Sequence, residues 1–165
     1  MNIYTSITDK YSLDTAIGLI EKGHSIVAVE INTLISDRHP KGLDQFLKKY
    51  SPKVIFEENT YNKNKYENNS DPDFSIITPS LLSKVDDYIR MMLLSMDRLY
   101  FSPLSQHESH RLIYLYLANC YKVINTFEVD VIFLPNIPHG LNQIALFALA
   151  KATGIQFIYK SWIAP

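Results

Sequence analysis

Short, almost continuously apolar runs recur along this chain, and the intervals between them leave room for helices. Residues 24–30 (HSIVAVE) form the clearest run, because its middle shows no alternation of apolar and polar residues. A strand of this kind is buried on both faces, which is typical of a parallel sheet. The other runs that predict strands are residues 1–7, 53–57, 130–134 and 155–159. Strands that alternate with helices predict an α/β fold.

The predicted helices have recognisable starts and ends. The first runs from an expected N-cap at Ser12 to Gly23, and a short helix covers residues 43–50. An apolar stripe with steps of three or four predicts a long helix: Leu82, Val85, Ile89, Met92, Met96 and Leu99. A second long helix begins at a capping box formed by Ser105 and Glu108 and runs to about residue 127. Its expected core positions are Leu112, Leu115, Tyr116, Asn119 and Val123. The last helix, residues 141–153, ends at Gly154.

These elements predict a Rossmann-like, doubly wound sheet of five parallel strands in the order 3-2-1-4-5, since the handedness rule leaves few other topologies. The two long helices form a hairpin between strands 3 and 4. We expect residues 1–165 to form one domain. In such a sheet the winding reverses between strands 1 and 4, and ligands bind outside the carboxyl ends of the strands there. The loops at this point contain Thr8 and Asp9 on one side and residues 135–140 on the other.

The loop PNIPHG, residues 135–140, is the main candidate site. Its prolines restrict the backbone, and Gly140 allows close approach of a ligand to the following helix start. The helix dipole disfavours a protonated ring at His139, so a neutral imidazole acting as donor or base is the catalytic hypothesis. Asn136, Gly140 and Asn142 are expected to contact the ligand. The alternative is a stiff connector that His139 caps. A catalytic role predicts that His139→Ala lowers the turnover of the complete enzyme by about 10²-fold or more, and a capping role predicts a lower melting temperature instead.

Charged residues elsewhere allow further hypotheses with structural alternatives. Arg98 or Arg111 could bind an anionic group, although pairing with a neighbouring carboxylate within the helices also explains them. Asp9 suits both a ligand contact and a turn. His107 and His110 do not have the HExxH spacing and lack further ligands, so no metal site is expected.

Composition and missing motifs exclude several classes of function. The 16 Lys and Arg residues against 17 Asp and Glu residues give no field for a polyanion, so no nucleic-acid partner is expected. Cys120 is the single cysteine, which excludes an intramolecular disulfide framework. Neither a glycine-rich dinucleotide fingerprint nor a P-loop occurs, and no NAD, FAD or other cofactor is expected. The sequence shows no signal-like apolar core or 18-residue apolar run, which predicts a cytoplasmic protein without a transmembrane segment.

Two longer segments carry a family resemblance. LIEKGHSIVAVE resembles the helix, Gly-His turn and second strand near the start of GT-B glycosyltransferases. FEVDVIFLPNIPHGLNQIALFALAKATGIQFIYK resembles their later unit of strand, loop, Ala-rich helix and strand. The Met-Asp-Arg segment at 96–98 and the Pro-His loop are similar to capsule or surface-polysaccharide biosynthesis proteins built on that plan. Gln156 departs from the proline that often begins this strand in the family.

The resemblance implies an acceptor-side, N-terminal Rossmann-like domain of a longer two-domain protein. A sugar acceptor would bind this domain, and a nucleotide-sugar would bind a second domain. The loops around Thr8 and Asp9 and around Asn136, His139 and Gly140 match positions that line the family's cleft. Association with the membrane surface is compatible with such a role.

Two function classes follow from the sequence. The first is the acceptor-side domain of a GT-B-like glycosyltransferase in surface-polysaccharide biosynthesis, which alone turns over no sugar nucleotide. The alternative is a non-catalytic Rossmann-like module that binds a small molecule or regulates a partner. An enzyme with its complete site within this chain is the weakest reading, because no nucleophile or metal set appears.

Overall fold

The computed structural model describes residues 1–32, 40–57, 74–99, 104–138 and 140–160. The strands are β1 (Asn2–Ile7), β2 (Ser25–Asn32), β3 (Lys53–Glu57), β4 (Val131–Leu134) and β5 (Gln156–Tyr159). The α-helices are α1 (Lys10–Glu21), α2 (Leu43–Tyr50), α3 (Pro79–Leu99), α4 (Gln106–Thr126) and α5 (Leu141–Thr153). A 3₁₀ turn at Phe74–Ile76 precedes α3. Strands and helices alternate on either side of the α3–α4 segment.

All described strand pairs are parallel, and the strand order is β3-β2-β1-β4-β5. β1 therefore lies in the middle of the sheet, between β2 and β4. This confirms the predicted α/β class, and both the parallel pairing and the order agree with the sequence prediction. The α3 and α4 helices fall between β3 and β4 in the chain, as predicted.

Contacts divide the chain into two compact units. One consists of Met1–Asn59, Thr126–Ile137 and Gln156–Pro165, and it contains the sheet with α1 and α2. The other consists of Thr60–Asn125 and Pro138–Ile155, and it contains α3, α5 and all but the last residue of α4.

The core of the first unit lies between the sheet and its two helices. Side chains of β1, β2 and β4 pack there with side chains of α1 and α2. The buried members are Ile3, Ile7, Leu13, Ala16, Ile26, Val29, Ile31, Leu43, Phe46 and Val131. Burial of so many aliphatic side chains contributes about 1.5–3 kcal/mol for each large one, as an upper estimate.

A register shift in the β1–β2 pair determines which β2 residues face this core. Ile3 pairs with Ile26, whereas Tyr4 pairs with Ala28, so Val27 is an extra residue in β2. Such a bulge lets Ile26 and Val29 share a face although they are three residues apart. The opposite face of the sheet carries Tyr4, Ser6 and Glu30, all of them buried.

In the second unit, α3 packs closely against α5. Tyr88 of α3 meets the Phe147 ring edge-on at 5.6 Å between centroids, and Lys84 Nζ lies 3.4 Å from the carbonyl of Ala152. Alanines at positions 145 and 148 of α5 are fully buried, and side chains this small let helix backbones approach. The two long helices follow one another between β3 and β4, as predicted, and the close approach of α3 to α5 was not predicted.

The buried stripes of the long helices follow the prediction for α3 and depart from it for α4. Four of the predicted α3 positions are buried, with Leu81 in place of Leu82; they are Val85, Ile89, Met92 and Met96. On α4 the buried residues are Ile113, Leu117, Ala118 and Ile124, and the predicted Asn119 is exposed. The prediction for α4 was wrong by about one residue, because tyrosines among the leucines give two apolar stripes of similar strength.

The capping residues at the helix ends are those predicted, except at the start of α1. Ser105 and Glu108 form the predicted capping box, with Ser105 N donating to Glu108 Oε2 at 2.9 Å and Glu108 N to Ser105 Oγ at 3.2 Å. Gly154 ends α5 in a left-handed conformation at φ +81°. The N-cap of α1 is Asp9 and not Ser12, since Ser12 is the third helical residue of a capping box with Asp9.

Candidate functional site

The predicted ligand edge of the sheet exists in the first unit. β1 pairs with β2 on one side and with β4 on the other, so the direction of the chain's progress across the sheet reverses at β1 and β4. Thr8 and Asp9 follow the carboxyl end of β1, and Pro135 and Asn136 follow that of β4. Carboxyl ends of parallel strands meet at one edge, and this edge is where open α/β sheets bind ligands.

Asp9 is held in a capping box at the start of α1. Its Oδ1 atom accepts a hydrogen bond from Ser12 N at 2.8 Å and lies 2.9 Å from Ser12 Oγ. Ser12 Oγ in turn accepts the backbone N–H groups of Thr8 and Asp9, both at 3.0 Å. The Ser12 side chain is buried, while Thr8 and Asp9 are exposed. The turn role of Asp9 is thus present, and its role as a ligand contact stays a prediction.

A lysine and a tyrosine from distant parts of the chain meet at the same edge. Lys160 Nζ lies 3.7 Å from the centroid of the Tyr11 ring. Tyr11 is on the first turn of α1, and Lys160 directly follows β5, where its backbone N–H donates to the carbonyl of Leu134 at 3.1 Å. Because β5 is two strands away from β1, the Lys160 side chain reaches past the end of β4 to contact Tyr11.

The electrostatics of this pair are dominated by the ammonium group. A hydrogen bond with Lys160, and then its positive charge, lower the pKa of the Tyr11 phenol below its ordinary value. The Asp9 carboxylate acts in the opposite direction and does not cancel the effect. The phenolic oxygen therefore lies in a net positive field on the exposed side of α1.

A buried acid lies on the neighbouring strand. Glu30 is 1% exposed, and the Tyr4 hydroxyl donates a hydrogen bond of 3.4 Å to its Oε2 atom. Ser6, also buried, is the register partner of Glu30 on β1. Buried carboxyl groups require such partners, because desolvation penalises an unpaired charge. This cluster is inaccessible to solvent, so it does not line the edge.

The remaining predicted site residues are spread over both units. Asn136 is half-buried and lies in the first unit, at the end of β4. Gly140 is the N-cap of α5 and has an extended backbone, with φ −86°. Asn142 is half-buried, and its backbone carbonyl accepts a hydrogen bond from the Cys120 thiol, with Sγ at 3.8 Å.

The two arginine candidates lie on the long helices of the second unit, α3 and α4. Arg111 is exposed on α4, and Arg98 lies in the last turn of α3, with its side chain outside the description. His139 also lies outside the described residues, so its catalytic role stays a prediction.

In the described part of the chain, no group of three or more His, Cys, Asp and Glu side chains is arranged to hold a metal ion. His107 is exposed, and His110 Nδ1 contacts the carbonyl of Gln106 at 2.8 Å within the first turn of α4. Residues 8–12, which comprise the β1–α1 connection and the start of α1, contain no glycine that would let a pyrophosphate approach the backbone.

Sequence reasoning missed Tyr11, Glu30 and Lys160. Glu30 carried a usable signal: an acid inside a run predicted to be buried on both faces must be paired or functional. Lys160 carried a weaker one, because it directly follows a strand at the carboxyl edge. Tyr11 carried none, since an exposed tyrosine near a helix start is common.

Among the described helices, none combines the length and the apolarity needed to cross a membrane.

Known proteins give no further guide to the site. Comparisons of the chain with protein-family models, curated proteins and solved structures gave no significant match.

Proposed function

We propose that this chain is a doubly wound, Rossmann-like domain that binds a sugar acceptor at the carboxyl edge of its sheet. In this proposal it is the acceptor-side, N-terminal domain of a GT-B-like glycosyltransferase in cytoplasmic surface-polysaccharide biosynthesis. The sugar class rests on the sequence resemblance, and the binding role rests on the geometry.

One observation carries the binding role: polar groups from three separate segments converge on the edge where β1 and β4 diverge. Asp9 and Tyr11 come from the start of α1, Asn136 from the end of β4 and Lys160 from the end of β5. Hydroxyl-rich ligands need several donors and acceptors around one position. This edge offers a carboxylate, an amide, a phenol and an ammonium group.

A second candidate is a non-catalytic module that binds a different small molecule at the same edge. The capping box favours it, because the hydrogen bonds to Ser12 give Asp9 a structural role at the start of α1. Under this alternative the edge binds its ligand without any group that takes a proton from it.

Titration of the ¹⁵N-labelled chain tests the proposal. The panel consists of neutral mono- and disaccharides, hexose 1-phosphates, nucleotides and amino acids, each followed by NMR shifts of the backbone amides. We expect saccharides to shift the amides of Thr8, Asp9 and Asn136 in a saturable way. Loss of one hydrogen bond in Asn136→Ala should weaken binding by about 2- to 10-fold, from about 0.5–1.5 kcal/mol.

Asn119→Ala is the matched control, since Asn119 is an exposed amide on α4. Saccharide-induced shifts that are confined to other regions, or that Asn136→Ala and Asn119→Ala weaken equally, would contradict the proposal. Binding of nucleotides or amino acids at this edge without saccharide binding would support the second candidate.

A further inference from the structure

The contact between Lys160 and Tyr11 has the properties of a small binding subsite. It lies on the accessible side of the edge, because Tyr11 keeps 52% of its surface exposed despite the ammonium group above its ring. It is also positioned by the fold, since the backbone of Lys160 is fixed to the end of β4 by its hydrogen bond to Leu134.

We propose that Lys160 and Tyr11 form a subsite for an oxyanion, a phosphate or carboxylate group, of the ligand at this edge. The inference rests on the proposed function for the rest of the ligand and adds its charge class. The ammonium group supplies the positive charge, and a phenol hydroxyl is a hydrogen-bond donor for an oxyanion.

The local field supports an anion and opposes a cation. The pKa of the Tyr11 phenol is lowered although Asp9 lies near, so the positive charge of Lys160 outweighs the carboxylate at the phenolic oxygen. The Asp9 carboxylate is turned toward Ser12 and held there through Oδ1. At the phenol, an anion would therefore be attracted by the ammonium group more strongly than it is repelled by this carboxylate.

The chain offers a matched comparison within the same unit. Lys49 Nζ lies 4.8 Å from the centroid of the Tyr50 ring, at the end of α2. Since α2 leads into the start of β3, this second pair lies at the amino edge of the sheet, opposite the proposed subsite. Loss of either lysine removes one charge from a Lys–Tyr contact, and only Lys160 is at the ligand edge.

The test uses inorganic phosphate, glucose 1-phosphate, glucuronate and glucose on the whole chain. Binding is followed by backbone amide shifts at constant ionic strength set with chloride. We expect saturable binding of phosphate, the sugar phosphate or glucuronate near Tyr11 and Lys160. Lys160→Met should weaken it by at least 10-fold, and Lys49→Met should change it by less than twofold. Preference for glucose 1-phosphate over glucuronate, or the reverse, identifies the phosphate or the carboxylate as the source.

A second measurement separates binding from simple charge screening. An anion bound beside the phenol opposes the field of Lys160, so saturating phosphate should raise the pKa of Tyr11, observed by ¹³C NMR of labelled tyrosine. The inference is overturned if Lys160→Met and Lys49→Met act alike, or if no anion binds saturably. Binding of glucose at this edge without preference for anions would overturn the inference and leave the proposed function standing. Binding of inorganic phosphate without binding of any sugar would support the inference and contradict the proposed function.

Discussion

At the scale of single residues, the contact between Lys160 and Tyr11 makes a prediction about titration. Lys160→Met removes the hydrogen bond and the charge that lower the pKa of Tyr11, so this pKa should rise toward the ordinary tyrosine value of about 10. Tyrosine-selective ¹³C NMR gives the titration curve, with Tyr11→Phe assigning the signal. A Tyr11 pKa that is identical in the wild type and in Lys160→Met would show that the contact is absent in solution.

The sign of the linked effect on stability follows from the direction of the shift. The folded state lowers the pKa of an acid, so it favours the tyrosinate form. The contribution is absent at pH values well below the folded pKa, where the phenol is protonated in both states. It appears as the pH rises through the folded pKa and is complete above the unfolded pKa of about 10. Conversely, it is lost as the pH falls back through the folded pKa.

The buried pair of Tyr4 and Glu30 makes a second prediction at this scale. Tyr4→Phe removes the donor to Glu30 without leaving a cavity, and we expect a loss of about 0.5–1.5 kcal/mol in the free energy of unfolding. Urea denaturation measures it. The double variant with Glu30→Gln isolates the coupling between the two side chains, and a coupling of zero would show that the 3.4 Å contact contributes nothing.

Individual side-chain contacts were predictable only where the local sequence determines them. The capping partners Ser105 and Glu108 were predicted because the spacing alone implies the contact. The meeting of Tyr11 and Lys160 was not, because it depends on which strands lie next to each other and on a side chain that reaches past β4. The loop around Asn136 was located by topology, which places a loop without specifying its contacts.

At the scale of the elements, two glycines of similar surroundings should respond in opposite ways. A Cβ atom added to Gly18 or to Gly23 would meet nothing within 4 Å, but Gly23 has φ +85°. Gly18→Ala should stabilise the protein by about 0.5–1 kcal/mol, because alanine favours a helix interior. Gly23→Ala should destabilise it by about 1–2 kcal/mol through left-handed strain. Equal shifts in urea midpoint would refute the assigned end of α1.

The N-cap of α1 separates the two roles considered for Asp9. Asp9→Ala should cost about 1 kcal/mol of stability, whereas Asp9→Asn should cost little, because asparagine caps equally well. Asp14→Ala, which removes an exposed carboxylate of the same helix, should change stability by less than about 0.5 kcal/mol. If Asp9→Asn keeps the stability and weakens saccharide binding, the carboxylate has a ligand role as well.

Element boundaries were predicted best where periodicity and a cap agree. The α5 helix, with one apolar run and Gly154 behind it, was predicted at 141–153 and occurs there. The start of α1 was predicted too late, because both Asp9 and Ser12 are good caps and the reciprocal contact uses both. On α4, leucines and tyrosines cover more than one face, so the buried stripe depends on tertiary neighbours.

At the scale of the whole molecule, the strand order was accessible to sequence reasoning. Right-handed crossovers and strands buried on both faces leave few arrangements. The division into two compact units was not, because adjacent elements such as β4 and α5 belong to different units. The pattern of alternating strands and helices specifies their order along the chain. It does not specify which elements pack together into one unit. The close packing of α3 against α5 is an instance of this.

The proposed acceptor-side role makes a prediction about the chain as a catalyst. Glycosyl transfer requires donor and acceptor to be held together, and that positioning can contribute about 7–11 kcal/mol. A domain that contacts only the acceptor should therefore bind saccharides at the β1–β4 edge and release no nucleoside diphosphate from common sugar nucleotides. A coupled enzyme assay for nucleoside diphosphate during long incubations measures this. Saccharide binding is confirmed on the same sample. Robust turnover by the purified 165-residue chain would show that it contacts donor and acceptor alike, and would refute the acceptor-side role.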